Sequence, residues 1–213
     1  MARPLIRWVH KRLIEAYGRP EWEIREEPLA ELIVTVLSQH TSDINCDRAF
    51  ASLRASFESW EAVRDAALPA VQEAIRCGGL AAVKAPRIQA ILRALTDNAG
   101  QVALPRPIER AFLLTLPGVG KKTASCVLLF GARLPAIPVD THVHRVALRT
   151  GMAPPKTSAD LTCDILEAAL PPDAYYAFHV NLIRHGREVC RAQRPLCGRC
   201  VLRDRCLYVQ ANR

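Results

Sequence analysis

Along most of the chain the apolar positions recur with helical spacing. Leu29, Leu32, Ile33, Val36 and Leu37 fall at i, i+3, i+4, i+7 and i+8, the buried stripe of an amphipathic helix. Thr41, Ser42 and Asp43 then offer capping oxygens for a helix over Asp43–Phe57. The same periodicity predicts helices over Leu68–Arg76, Ala85–Thr96, Ile108–Leu114, Lys121–Phe130, Thr141–Thr150, Ala159–Leu170 and Ala174–His185. The joints are short and marked by glycine or proline, at Gly78–Gly79, Pro105–Pro107, Pro117–Gly120, Pro154–Pro155 and Pro171–Pro172. No stretch alternates like a half-buried strand, and no internal repeat or low-complexity tract interrupts the pattern. The expected fold class is all-α.

Composition supports a real core. The 213 residues are 50% apolar but only 6% aromatic, so the core is built mainly from aliphatic side chains. The N-terminal MARPLIRWVHKRLIEAYG has no uninterrupted apolar run and no small-residue cleavage site, so it reads as an amphipathic helix and not as a signal peptide. The most apolar stretch, Cys126–Val139, is broken by Arg133, Pro135 and Pro138, well short of a membrane span. The expectation is a cytoplasmic protein with no membrane association. A net charge of +8 favours a polyanionic partner.

That charge is concentrated. Residues 181–213 hold eight arginines against Glu188 and Asp204, which places +6 of the total in one segment. So few apolar residues cannot close such a tail by burial alone, and it needs a staple. Cys190, Cys197, Cys200 and Cys206 lie in it, spaced C-x6-C-x2-C-x5-C. Cys46, Cys77, Cys126 and Cys163 are scattered through apolar helical segments and read as small hydrophobes. Four thiolates in a short loop can converge on one centre, and on residue type alone zinc and a [4Fe–4S] cluster are about equally suited.

A second site centres on Leu116-Pro117-Gly118-Val119-Gly120-Lys121-Lys122-Thr123-Ala124, where a two-glycine turn joins two helical patterns. Glycines there leave backbone N–H groups uncovered, and a helix N-terminus follows at once, which suits a phosphate oxygen. A lone G-x-G is more often a plain turn between helices; the paired lysines on a basic chain favour DNA. Eighteen residues beyond Lys122, Asp140 precedes Thr141-His142 where a helix starts, so it serves at least as an N-cap. A lysine amine is the side-chain group that forms a Schiff base with a sugar carbon. Lys121 beside it and the positive end of a helix dipole both favour the neutral amine.

These motifs, L-P-G-V-G-K-K-T-A followed by V-D-T-H-V-H-R-V, resemble the helix–hairpin–helix DNA glycosylase superfamily, in particular its iron–sulfur-containing endonuclease III branch. The stretch Leu182–Cys200, with L-I-x-H-G-R and the first three of the clustered cysteines, is similar to that branch's cluster loop, and the spacing to Cys206 agrees. The resemblance implies a bifunctional DNA glycosylase and AP lyase for oxidised pyrimidines, with Lys122 as nucleophile and Asp140 assisting. It also implies a [4Fe–4S] cluster on Cys190, Cys197, Cys200 and Cys206. The expected partner is double-stranded DNA with damaged or abasic sites, bound by a monomer associated with the nucleoid. Gly118, Val119, Gly120, Lys121 and Thr123 would hold the DNA backbone, with His142 near it, while His179 is a core histidine. The Gly78-Gly79-Leu80 turn resembles a loop that inserts a leucine into the duplex, which makes Leu80 the candidate wedge. Gln39 and His40 occupy the family's L-S-A-Q-A-T-D stretch, here L-S-Q-H-T-S-D. The glutamine is displaced by one, which bears on base preference. The implied architecture is two-lobed: a helical barrel over residues 24–133 with its hairpin at about 108–130, and a cluster lobe from residues 1–23 and 134–213. Other lesions (uracil, a mismatch, an abasic site only) and a non-enzymatic DNA-binding module are the alternatives.

Overall fold

The computed structural model describes residues 2–212. Twelve α-helices are present among them, joined by short 3₁₀ turns, and the only extended pairing among these residues is a single antiparallel bridge between Thr96 and Val102. The chain divides into two compact units, one of Ile24–Ala132 and one made from the segment up to Glu23 together with the segment from Arg133 onward.

The second of these begins with α1 (Ala2–Tyr17). The chain then crosses into the other unit, which comprises α2 (Pro28–Leu37), α3 (Asp43–Ser56), α4 (Trp60–Asp65), α5 (Leu68–Ala74), α6 (Ala81–Ala94), α7 (Arg110–Leu113) and α8 (Lys121–Cys126). Each start has a local cause. Glu27 caps α2 by accepting from the N–H groups of Leu29 (3.1 Å) and Ala30 (2.8 Å), with Pro28 at the first helical position. Ser42 caps α3, as its side chain accepts from Asn45 N–H at 3.4 Å. The stripe read from the sequence is buried: Leu32, Ile33, Val36 and Leu37 are fully enclosed, and α2 packs on α3, α6 and α8. The short α4 has too few residues to reveal a period.

Two elements differ from their sequence pattern. Helix α6 starts four residues before the periodicity does, entered from Leu80 in the left-handed region, and Pro86 is accommodated inside it. The run expected over Lys121–Phe130 is α-helical only to Cys126 and continues as a π-helical turn over Val127–Gly131. At Gly131 an added Cβ would lie 2.8 Å from Pro28 Cα and 3.1 Å from Glu31 Cβ, so the glycine allows the start of α2 to press against this turn.

Arg133 onward forms α9 (Thr141–Thr150), α10 (Ala159–Ala169), α11 (Tyr175–Glu188) and α12 (Leu207–Ala211). Within this unit α11 lies against α1 and α9, and Asn181 Nδ2 donates to Gly18 O at 2.9 Å, fastening the two chain segments together. No helix is long and apolar enough to cross a membrane among the described residues.

Glu31 is the costly feature of α2. Its side chain is fully buried, it pairs with Arg25, and it accepts from Thr35 Oγ1 at 3.2 Å, while Oε2 has no hydrogen-bond partner. Burial raises its pKa, more than the attraction of Arg25 lowers it. The folded state therefore holds this proton more tightly than the unfolded chain does. The resulting destabilisation is absent below the unfolded pKa and grows as pH rises through the folded one. Glu31→Gln should accordingly gain melting temperature relative to the parent as pH climbs from about 4 to about 7. A stability difference that moves the other way in a pH series of thermal melts would overturn the buried-charge account.

Candidate functional site

In the Ile24–Ala132 unit the glycine turn is built as its sequence requires. Gly118 has φ +71°, and Val119 N–H closes the turn on Leu116 O at 3.1 Å. Gly120 caps α8, with open space where a Cβ would stand, and the first bond of the helix is Ala124 N–H to Gly120 O at 3.0 Å. The amides ahead of that bond point outward along the axis. Lys121 and Lys122 are half-buried in this first turn, whereas the side chains of Val119 and Thr123 are buried. The Lys122 ammonium is also among the charges that act on Glu31.

Two further loops are tied to this turn by cations of α6. Lys84 is buried and donates from Nζ to Leu37 O at 2.6 Å and to Gly78 O at 2.8 Å. Burial lowers its pKa. One of these carbonyls opens the Ser38–His40 turn, the other the Gly79–Leu80 turn. Both turns carry a non-glycine residue in the left-handed region, His40 at φ 54° and Leu80 at φ 53°. That conformation costs about 1 kcal/mol for such residues. Leu80 is 53% exposed as well, an unusual combination for a leucine. One turn along α6, Arg87 Nη1–H donates to Gln39 Oε1 at 2.6 Å.

The other unit carries the remaining candidates. Asp140 is the N-cap of α9, its Oδ1 accepting from Val143 N–H at 2.8 Å. His142 Nδ1 lies 3.1 Å from Arg145 Nη2, and Gly186 lets α11 approach it, since a Cβ there would stand 2.9 Å from His142 Cβ. His179 is enclosed and satisfied through Nδ1 on Pro138 O at 2.9 Å.

Cys190, Cys197, Cys200 and Cys206 line one hollow, with Arg149 and His185 in its wall. Among the described residues no group of three histidine, cysteine or carboxylate side chains is placed to hold a single metal ion. Burial pushes the Cys200 thiol up to about 11, and the neighbouring cysteines push the same way. Such a crowd of thiols gives up its protons readily only to bound metal. The wall is itself organised. Burial lowers His185 to about 4, so the ring is neutral; Tyr17 Oη lies 2.9 Å from Nδ1 and Cys200 Sγ 3.4 Å from Nε2. With the hydroxyl donating to Nδ1, the Nε2–H faces the sulfur. Arg149 donates to Arg191 O (2.6 Å) and Ala192 O (2.9 Å) and lies 3.6 Å from Cys190 Sγ, while Arg145 Nε donates to Cys190 O at 2.9 Å. Sequence reasoning had no means of finding Lys84, Arg87, Arg145 or Arg149, because their partners are backbone or lie dozens of residues away. His185 was visible only as part of a motif.

Residues 33–172 match the family model for the HhH-GPD superfamily base excision DNA repair protein, and residues 190–206 match the iron–sulfur binding domain of endonuclease III. The chain is 34% identical to endonuclease III of Thermotoga maritima over 96% of its own length and 93% of that protein's. It is 35% identical to the endonuclease III of Escherichia coli K12, with 92% of each chain covered. Among solved structures, a trapped endonuclease III–DNA covalent intermediate superposes with a TM-score of 0.88 at 29% identity, covering 99% of this chain and 98% of the other.

Replacing Lys84 tests the framework of the site. Lys84→Ala leaves two buried carbonyls unsatisfied and should lower unfolding free energy by about 2–3 kcal/mol in denaturant titrations. Amide exchange at residues 38–40 and 79–81 should accelerate more than in α3. Uniform acceleration would show that the lysine supports the unit as a whole and not these two turns.

Proposed function

Because the chain belongs to the HhH-GPD superfamily of base excision DNA repair proteins, in its endonuclease III branch, we propose that its chemistry is carried by Lys122 as nucleophile and Asp140 as electrostatic partner. The protein is a bifunctional DNA glycosylase and AP lyase, it binds DNA, and its C-terminal cysteine loop holds a [4Fe–4S] cluster. The observation that carries the residue assignment is the position of Lys122, half-buried in the first turn of the helix that follows the Gly118–Gly120 turn. An amine there stands beside amides suited to the flanking phosphate.

In the proposed reaction the Lys122 amine attacks C1′ of the damaged nucleotide while the bond from C1′ to the base breaks and the base leaves with a proton. Ring opening gives an iminium. Loss of a proton from C2′ then expels the 3′ phosphate and nicks the strand. The carboxylate of Asp140 stabilises the positive charge that develops on the sugar. Because Oδ1 also caps α9, Asp140→Asn keeps an acceptor at the cap and should reduce rate more than DNA affinity.

Cys190, Cys197, Cys200 and Cys206 would supply one thiolate to each iron. The cluster's role is to fold the arginine-rich tail, which presents Arg187, Arg191, Arg194 and Arg199 at the surface. The reading extends to oxidised pyrimidines in duplex DNA, to a monomeric protein, and to action on the chromosome in the cytoplasm. His40 in place of a glutamine favours a second reading, in which uracil, a mismatched base or the bare abasic site is the preferred substrate.

Borohydride trapping distinguishes these readings. The parent protein should be cross-linked to duplexes with oxidised pyrimidines and with abasic sites, and Lys122→Ala to neither. If Lys122→Ala still forms the adduct, another amine is the nucleophile. The purified protein should contain about four iron and four sulfide per chain; stoichiometric zinc with no sulfide would remove the cluster from the description.

A further inference from the structure

Arg87 touches two parts of the site with one side chain. Its Nη1–H donates to Gln39 Oε1 at 2.6 Å. Its other end runs along the glycine turn, where a Cβ added to Gly118 would stand 2.4 Å from Arg87 Nε and 2.6 Å from Cδ. Gly118 is thus glycine for two reasons, its φ of +71° and the guanidinium laid against it. Gln39 is consequently one side chain away from the turn that grips the DNA backbone. It also adjoins His40, whose left-handed backbone ends the α2 extension.

The contact has a chemical consequence. A guanidinium has five N–H donors and no acceptor, so the atom of the Gln39 amide that meets it must be the oxygen. This settles the orientation of the amide on chemical grounds. With Oε1 turned to Arg87, the Nε2 amino group is fixed on the other side of the amide, where it donates and does not accept. A free glutamine at this position would rotate to suit either a donor or an acceptor. One held by Arg87 keeps its donors on the side away from the guanidinium.

We propose that Arg87 is a specificity-determining positioning residue: it fixes the Gln39 amide with its NH₂ outward, so that the site favours a nucleobase edge bearing a carbonyl over one bearing an amino group. The inference rests on the excision activity above and adds a selection rule to it. The edge that is read belongs either to the flipped lesion or to the base left opposite it. An amino group facing the amide would bring two donors together and leave both without a partner. A site built to hydrogen-bond one substrate discriminates by such penalties.

Two pairs of substrates test the rule. One sets 5-hydroxyuracil against 5-hydroxycytosine, which differ in the C4 carbonyl or amino group, each opposite guanine. The other sets guanine against adenine opposite an abasic site, which differ in the C6 carbonyl or amino group. In one of the two pairs the parent should prefer the carbonyl member by about tenfold in single-turnover rate or affinity; which pair it is identifies the base that is read. Arg87→Met should bring that ratio close to one, Arg87→Lys should restore much of it, and Gln39→Glu, which offers only acceptors, should invert it toward the amino member. A merely structural role for Arg87 would slow both members of a pair equally. If Arg87→Met fails to fold, Gln39→Glu decides alone, because it retains the guanidinium contact. Ratios unchanged in Gln39→Glu, or no carbonyl preference in either pair for the parent, would overturn the proposal. Absence of any borohydride adduct on abasic DNA would instead overturn the nucleophile assignment on which it rests.

Discussion

An ammonium shut away from water has to find oxygens, and Lys84 finds them on two loops at once. Its bonds to Leu37 O and Gly78 O join the end of α2 to the turn before α6. Each carbonyl belongs to the last residue of a helical segment, α2 or the 3₁₀ turn Arg76–Gly78, where no further helical N–H is there to meet it. The arrangement answers two demands together: the buried charge is solvated by backbone dipoles, and the loops' carbonyls are satisfied. It also anchors the turns of the left-handed residues, since His40 and Leu80 come shortly after the carbonyls that Lys84 holds at Leu37 and Gly78. An exposed leucine in an unfavourable backbone state sits close to this anchor.

The arginine-rich tail answers the same demand in another way. Between Cys190 and Cys206 few side chains reach the core, so the loop is closed by its thiols around one hollow and by arginines of α9. Arg149 and Arg145 donate to the carbonyls of Arg191, Ala192 and Cys190, groups that no helix or sheet would otherwise use. The His185 Nε2–H directed at Cys200 Sγ supplies a hydrogen bond to a sulfur that would carry negative charge in the assembled cluster. Cations held inward by backbone carbonyls leave the outward arginines free to give the tail its positive face.

What was legible in the sequence follows from the range of the forces involved. Helical stripes such as Leu29–Leu37 and caps such as Ser42 and Asp140 depend on neighbours within four residues, and they were readable. The cysteine spacing and the glycine turn were readable as motifs, because their chemistry needs those residue types close together in the chain. The start of α6 was misplaced because the helix is entered from Leu80 in the left-handed region with no capping side chain, so no local signal marks it. The π turn after α8 was hidden for a different reason: it accommodates the approach of Pro28 and Glu31 at Gly131. Val119 and Thr123 read as DNA contacts by position in the motif, while their side chains are spent on packing.

The buried carboxylate of Glu31 is coupled to Lys122 as well as to the fold. A charge at full burial with one oxygen unpartnered is expensive, and an apolar residue at that helix position would pack at lower cost. Arg25 and Thr35 offset part of the expense from one side, and the Lys122 ammonium acts on the same group. That ammonium, like Arg25, favours the charged form of the carboxyl, against the larger effect of burial. Because burial raises the Glu31 pKa, the carboxylate accepts a proton more readily than an exposed one would. The Ile24–Ala132 unit thus gives up stability to keep a buried carboxyl within electrostatic reach of Lys122.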